Sequence, residues 1–175
     1  MPPVQIRSLG PTDASQFQAL RLQGLLECPS AFASSCDEER NLPSEMLATR
    51  LRETPDQFIL GAFDGSSLVG VVGLMRERHR KLSHKAFIWG MYVAPAFRRR
   101  GVGRQLLEGV LFRAESIPGL RQLNLGVNAG NQAAKSLYDS LGFRAFGLER
   151  GFMVVDGELQ DEVHMTRTLG SGEPG

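Results

Sequence analysis

Arginine and glycine are packed closely in one short stretch of this 175-residue chain. Residues 98–104 read Arg98-Arg99-Arg100-Gly101-Val102-Gly103-Arg104 and follow Val93-Ala94-Pro95-Ala96-Phe97. An apolar, strand-like segment leads in, and an amphipathic helical pattern begins at Gly101. Pro95 stops the strand because it has no N–H to give to a ladder. The first turn of a helix carries unpaired N–H groups and a partial positive charge. Glycine at 101 and 103 leaves those groups uncovered, so a phosphate can rest directly on them. The arginines add charge-assisted donors. The chemistry on offer is a cradle for a diphosphate.

Other phosphate sites fit poorly. A Walker-type loop needs a longer glycine-bounded span and a Lys followed by Ser or Thr, whereas Arg104 follows Gly103 here. A dinucleotide fingerprint needs a third glycine. On these few residues alone, a plain glycine-rich turn packing a helix on a sheet is the commoner outcome. A second segment changes the balance: Val127-Asn128-Ala129-Gly130-Asn131-Gln132-Ala133-Ala134-Lys135-Ser136-Leu137-Tyr138-Asp139-Ser140-Leu141-Gly142-Phe143. With Val93-x-Pro95-x-x-Arg98-x-x-Gly101-x-Gly103, it closely resembles the GNAT superfamily of N-acetyltransferases. The resemblance is specific over residues 88–143, including the distance between the two halves, and extends loosely to the final hairpin. Over the first eighty or so residues it rests on the order of elements alone.

The resemblance implies acetyl-coenzyme A as donor. The diphosphate would lie on Arg99, Arg100, Gly101, Val102, Gly103 and Arg104, with Arg98 beside it. The pantetheine arm would follow Met91, Tyr92 and Val93, where two parallel strands splay and an extended amide-bearing arm can pair like an added strand. Asn131 would touch the arm while capping its own helix. The implied reaction is direct attack of an amine on the thioester in a ternary complex, through a tetrahedral oxyanion. An amide near Val93 would stabilise that oxyanion, an effect of about 3 kcal/mol. Tyr138 matches the family's general acid, and a reference pKa of about 10 keeps it protonated at neutral pH. The same tyrosine shares a helical stripe with Ala134, Leu137 and Leu141, so core packing competes with catalysis.

The base is where the chain departs from its family. Many relatives place a glutamate on the central strand or on the open end of the next one; the matching positions here are Phe87 and Gly126. Stand-ins are Glu38, Glu39, Glu77, His84, Glu162 and His164, residue types more often found solvated at a surface, and water-mediated deprotonation is an alternative. Trp89 alternates onto the side of Phe87 and Met91, where it either walls an acceptor site or packs the core. Glu38 and Glu39 lie in the 30–41 connection, and an acidic rim there would suit a cationic amine; a solvated acidic turn is the plainer reading. The resemblance implies a primary amine of a small molecule or peptide as acceptor. The rival reading is a non-catalytic acyl-coenzyme A sensor, motivated by residues 87 and 126, and a third is a nucleotide-binding protein.

These residues need a scaffold. Alternation marks strands over 4–9, 57–63, 67–75, 85–93 and 121–128, and over a last pair, 143–155 and 158–169, joined by Asp156-Gly157. Helical stripes mark 13–25, with Thr12 as cap, and 44–52, 101–117 and 131–141, the last stopped by Gly142. Residues 28–42 read as a loop. The strand–helix–strand unit 85–128 forces a parallel, right-handed crossover, while the hairpins are antiparallel. The expected fold is α/β (α+β), a mixed, mostly antiparallel twisted sheet of about seven strands with helices on both faces. Residues 1–169 form one domain and 170–175 a disordered tail.

Bulk composition narrows the partners. A net charge of +1 excludes a general nucleic-acid binder. No apolar run is long enough for a membrane span, and the start lacks a secretory pattern. The two cysteines, Cys28 and Cys36, match no zinc or redox spacing, and the three histidines show no paired-ligand spacing, so no metal is expected. The expected location is the cytoplasm. A homodimer, common in the family, stays open.

Overall fold

The computed structural model describes residues 2–170; of the tail proposed at 170–175, residues 171–175 lie outside the described residues. Seven strands form one sheet in the order β1-β2-β3-β4-β5-β7-β6. They are β1 (Gln5–Ser8), β2 (Gln57–Asp64), β3 (Ser67–Arg76), β4 (Lys85–Val93), β5 (Gln122–Asn128), β6 (Arg144–Val155) and β7 (Glu158–Thr168). Only β4 and β5 pair in parallel, as the crossover requires. Helices α1 (Ala14–Glu27), α2 (Cys36–Glu39) and α3 (Ser44–Leu51) precede β2; α4 (Val102–Glu115) and α5 (Gln132–Ser140) flank β5 in the chain.

Each face of the sheet carries its own core. On one face the α4 stripe Val102, Leu106, Leu107, Val110, Leu111 and Ala114 is buried against Leu60, Leu74, Leu123 and Leu125, with Tyr138 and Phe143 closing one end. On the other, Phe17, Leu20 and Leu25 of α1 pack with Leu47 and Leu51 of α3 over Ile59, Val71 and Tyr92. Full burial of each such aliphatic or aromatic side chain stabilises by about 1.5–3 kcal/mol, which is what fixes both helical layers.

Three local expectations are corrected. Thr12 does not cap α1: the chain enters through a 3-10 turn, Pro11–Asp13, and the Asp13 carboxylate accepts from the Gly10 amide and from Arg7. Residues 28–42 are not simply a loop: a 3-10 turn at Pro29–Ala31 and the short helix α2 interrupt them. Glu39 is no solvated acid. It is 6% exposed and takes two hydrogen bonds from Arg21, at 2.5 and 2.7 Å, with Arg50 3.6 Å away. Pairing is the reason a carboxylate can sit there at all.

That pair fastens α2 to α1 above β4. Burial alone would push the Glu39 carboxyl up, but the hydrogen bonds and charge of Arg21, with help from Ser34 and Arg50, hold it below its ordinary value. A lowered carboxyl pKa stabilises the fold at every pH above the unfolded value, and that contribution drains away as pH falls through the folded one. Glu39→Gln should therefore cost about 3 kcal/mol at neutral pH, by leaving Arg21 buried and uncompensated. Urea titrations at descending pH should show the gap between variant and parent closing in acid.

Candidate active site

The central opening of the sheet is made by strands that stop pairing. β4 and β5 are in register only at Lys85↔Gln122, Ala86↔Leu123 and Phe87↔Asn124. Beyond that, β5 stays with β7 along its whole length, and β4 stays with β3. Between Trp89↔Gly73 and Tyr92↔Val71 the β4 strand carries an extra residue, and Gly90 there has φ +65°. A bulge bends its strand and increases its twist, which turns β4 away from β5. Sequence reasoning missed this bulge, although an isolated glycine inside a strand pattern is its usual sign.

The bulge also corrects one predicted face. Trp89 and Met91 do not share a side. Met91 packs with the α4 core, whereas Trp89 packs against the α1 core, because the extra residue inverts the alternation. Tyr92 follows Trp89: it is buried, and its hydroxyl donates to Glu27 at 2.6 Å. Ala94 gives its amide to Val69 of β3. By antiparallel alternation, Val93 directs its own amide to the opposite edge, where β5 has withdrawn. The resulting cleft, about 100 Å³, is lined by Trp89, Gly90, Met91, Leu125, Gly126, Asn128, Asn131 and Tyr138 among others.

The arginine–glycine turn follows β4, and Gly103 lies beside Met91 of the cleft lining. Arg99 and Gly101 have φ of +59° and +77°, and Gly101 caps α4. The first capping carbonyl, that of Gly101, is taken by Gln105. The amides of Arg99, Gly101, Val102, Gly103 and Arg104 donate to no backbone carbonyl among the described residues. A side chain added at Gly101 would meet nothing nearer than Gln105 at 3.9 Å, so it would project into open space in front of these amides. At Gly103 it would press on Met91 at 3.1 Å and Leu137 at 3.4 Å, between the strand and α5. Free donors, helix-start polarity and missing side chains fit a diphosphate.

The arginines divide their work. Arg98 donates from Nε to the Val93 carbonyl, pairs with Glu27 at 2.6 Å and lies over the Tyr92 ring. Its guanidinium thus braces the turn to β4 and α1. Arg104 donates to the Ser140 hydroxyl at 2.6 Å, tying the start of α4 to α5. Arg99 and Arg100 are exposed at the turn.

On α5, Asn131 accepts from the Ala134 amide at 3.1 Å, the capping bond its type predicts. Tyr138 is 6% exposed and meets Phe143 edge-on at 5.9 Å. Burial pushes its phenol up to about 12. The helix stops where expected, with Gly142 at φ +87°.

A larger hollow, about 670 Å³, opens on the α1 side of β4, lined by Arg21, Glu39, Arg50, Met75, Glu77, Phe87 and Trp89 among others. Ile88 and Trp89 border both this hollow and the cleft. Glu38 lines neither; its carboxylate accepts from the Ser35 amide in a capping box. His84 lies at the closed, paired end of β4, where its carbonyl receives Arg121 and Gln122. Glu162 and His164 lie on β7 at the other, open end of β5, opposite Asn128 and Gly126.

A splayed parallel pair with uncovered amides at one end and a hollow at the other defines a site for an extended, diphosphate-bearing acyl carrier. The acetyltransferase (GNAT) family model matches residues 23–143, and the chain belongs to that family. It is 36% identical over 122 residues to the N-alpha-acetyltransferase RimI of Mycobacterium tuberculosis, covering 69% of this chain and 71% of the relative. A ribosomal protein bS18-alanine N-acetyltransferase from Salmonella typhimurium is 41% identical over 81 residues, 46% of this chain and 54% of that one. A GNAT-family acetyltransferase structure from Streptococcus pneumoniae superposes with a TM-score of 0.85 at 25% identity, covering 95% of this chain and 99% of the other. A Salmonella typhimurium structure containing acetyl-CoA reaches 0.86 at 19% identity, covering 99% and 98%. The protein is an acetyl-coenzyme A-dependent N-acetyltransferase.

Gly101→Val would force a branched side chain into a left-handed conformation and over the free amides. Coenzyme A binding, measured by calorimetry, should weaken at least tenfold, with a stability loss of about 1–2 kcal/mol.

Proposed function

We propose that this enzyme acetylates the α-amine at the N-terminus of a peptide or protein. The observation that carries the reading is the two-sided opening at Trp89, with a narrow cleft toward the cradle and a broad open hollow toward solvent. The relatives named N-alpha-acetyltransferase and bS18-alanine N-acetyltransferase support an N-terminal acceptor. Nothing among them supports a non-catalytic sensor. The free thiols of Cys28 and Cys36 suit the reducing cytoplasm, where we place the enzyme. Residues 1–169 act as one acetyltransferase domain.

Acetyl-coenzyme A supplies an activated acetyl thioester when bound. The amides of residues 99–104 hold its diphosphate, Met91, Tyr92 and Val93 offer backbone to its arm, and Asn131 stands beside that arm. Arg98 serves by holding the turn in place. The Val93 amide, facing the cleft, is positioned to donate to a carbonyl oxygen as negative charge grows on it. Tyr138 delivers a proton to the departing sulfur. Its raised pKa, about 12, keeps the proton on the ring at neutral pH. Trp89 and Phe87 wall the acceptor.

Two measurements test this. Thiol release over a panel of N-terminally free peptides, free lysine and polyamines should favour the peptides by kcat/KM; turnover confined to the small amines would overturn the acceptor assignment. Tyr138→Phe should lower kcat about a hundredfold with KM for acetyl-coenzyme A changed less than about twofold. Unaltered kcat would remove the acid role.

A further inference from the structure

The family glutamate missing at position 126 has a physical replacement in this chain. A Cβ built on Gly126 would lie 1.8 Å from Oε1 of Glu162 and 2.6 Å from its carboxyl carbon. The β7 carboxylate thus occupies the space that a side chain on β5 would fill. Gly126 lines the cleft with Tyr138 and Trp89, so the carboxylate, although not itself among the lining residues, lies directly against a residue of that lining. We propose that Glu162 is the general base of the acetyl transfer, delivered across the strand pair into a place that Gly126 keeps empty.

The surroundings suit the task. The Glu162 side chain is 13% exposed, and among the described residues no cationic residue pairs with it closely: His164 Nδ1 is 3.9 Å away, and His164 Nε2 is 2.9 Å from Glu149. Burial raises the Glu162 carboxyl, His164 opposes that, and Glu149 adds to it. From β5 only the uncharged Gly126 and Asn128 stand beside it, and the turn Pro29–Ala31 contributes no charge. A carboxylate shifted upward is a stronger base than an ordinary one. The neighbouring His164 and the half-exposed Glu149 lead from it toward solvent.

The balance is simple. Glu162, directly or through one water, takes a proton from the acceptor ammonium, and the freed nitrogen lone pair forms the C–N bond. The C–S electron pair leaves with sulfur, which is protonated by Tyr138. The second nitrogen proton also departs, one proton restores Tyr138, and one in net goes to solvent.

The base assignment rests on the acetyltransferase reaction and not on which amine is the natural acceptor. Rates are therefore taken with whichever amine of the panel the parent enzyme turns over fastest. Glu162→Gln should lower kcat about a hundredfold while KM for acetyl-coenzyme A stays within about twofold. Gly126→Glu alone should clash with Glu162 and destabilise the fold. Combined with Glu162→Ala, it should bring kcat back to within about tenfold of the parent, because a carboxylate returns to the same space. An acceptor-free arm follows the Glu162 carboxyl carbon by NMR against pH, where titration above the ordinary glutamate range is expected. The proposal fails if Glu162→Gln keeps parental kcat, if the folded, coenzyme-binding double variant stays as slow as Glu162→Ala, or if the carboxyl titrates at or below that ordinary range.

Discussion

A sheet strand that loses its neighbour must find other partners for its backbone, and this constraint organises the whole molecule. β4 and β5 share three register pairs and then part. Unpaired amides and carbonyls inside a folded protein are costly unless water or a ligand satisfies them. The bulge at Gly90 keeps β4 fully engaged with β3 while steering it away from β5. Strand β7 holds β5 from the other side. The opening is therefore held by well-paired flanks, not by slack in the sheet.

The two ends of this opening are kept chemically different by the layers that cover the sheet. On the α4 side, the amides of residues 99 and 101–104 are bare donors, and Arg98 and Arg104 spend their side chains on bracing the turn. On the α1 side, the buried Arg21–Glu39 pair and Trp89 shape a hollow. Arg21 lies 5.6 Å over the Trp89 ring, so the ion pair also steadies a residue that borders both hollow and cleft. Charge that holds the scaffold together is thus fully committed to partners. The carboxylate at Gly126 is buried without a close arginine among the described residues.

Motif, spacing and periodicity made much of this readable from residues alone. The crossover, both halves of the resemblance, the α4 stripe, the Asn131 cap and the Gly142 stop are local features, set by side chains within a few positions of each other. The seven strands were legible because alternation and Asp-Gly turns are local too. What escaped was non-local. Thr12 was displaced as cap by an Asp13 whose partner, Arg7, lies on another element. Glu39 read as solvated because its partner Arg21 is on α1, and an acid is classed by its own neighbourhood until that partner is known.

By itself, the chain determined its family and marked a candidate donor cradle and a candidate acid, because each is written in short segments whose geometry the backbone enforces. Only the tertiary structure decided which face Trp89 presents, that Glu38 lines neither opening, and that Glu162 fills the gap over Gly126. Those facts depend on strand register and on a single extra residue in β4. Register is a property of two strands together, and shifting it by one residue moves every side chain to the other face.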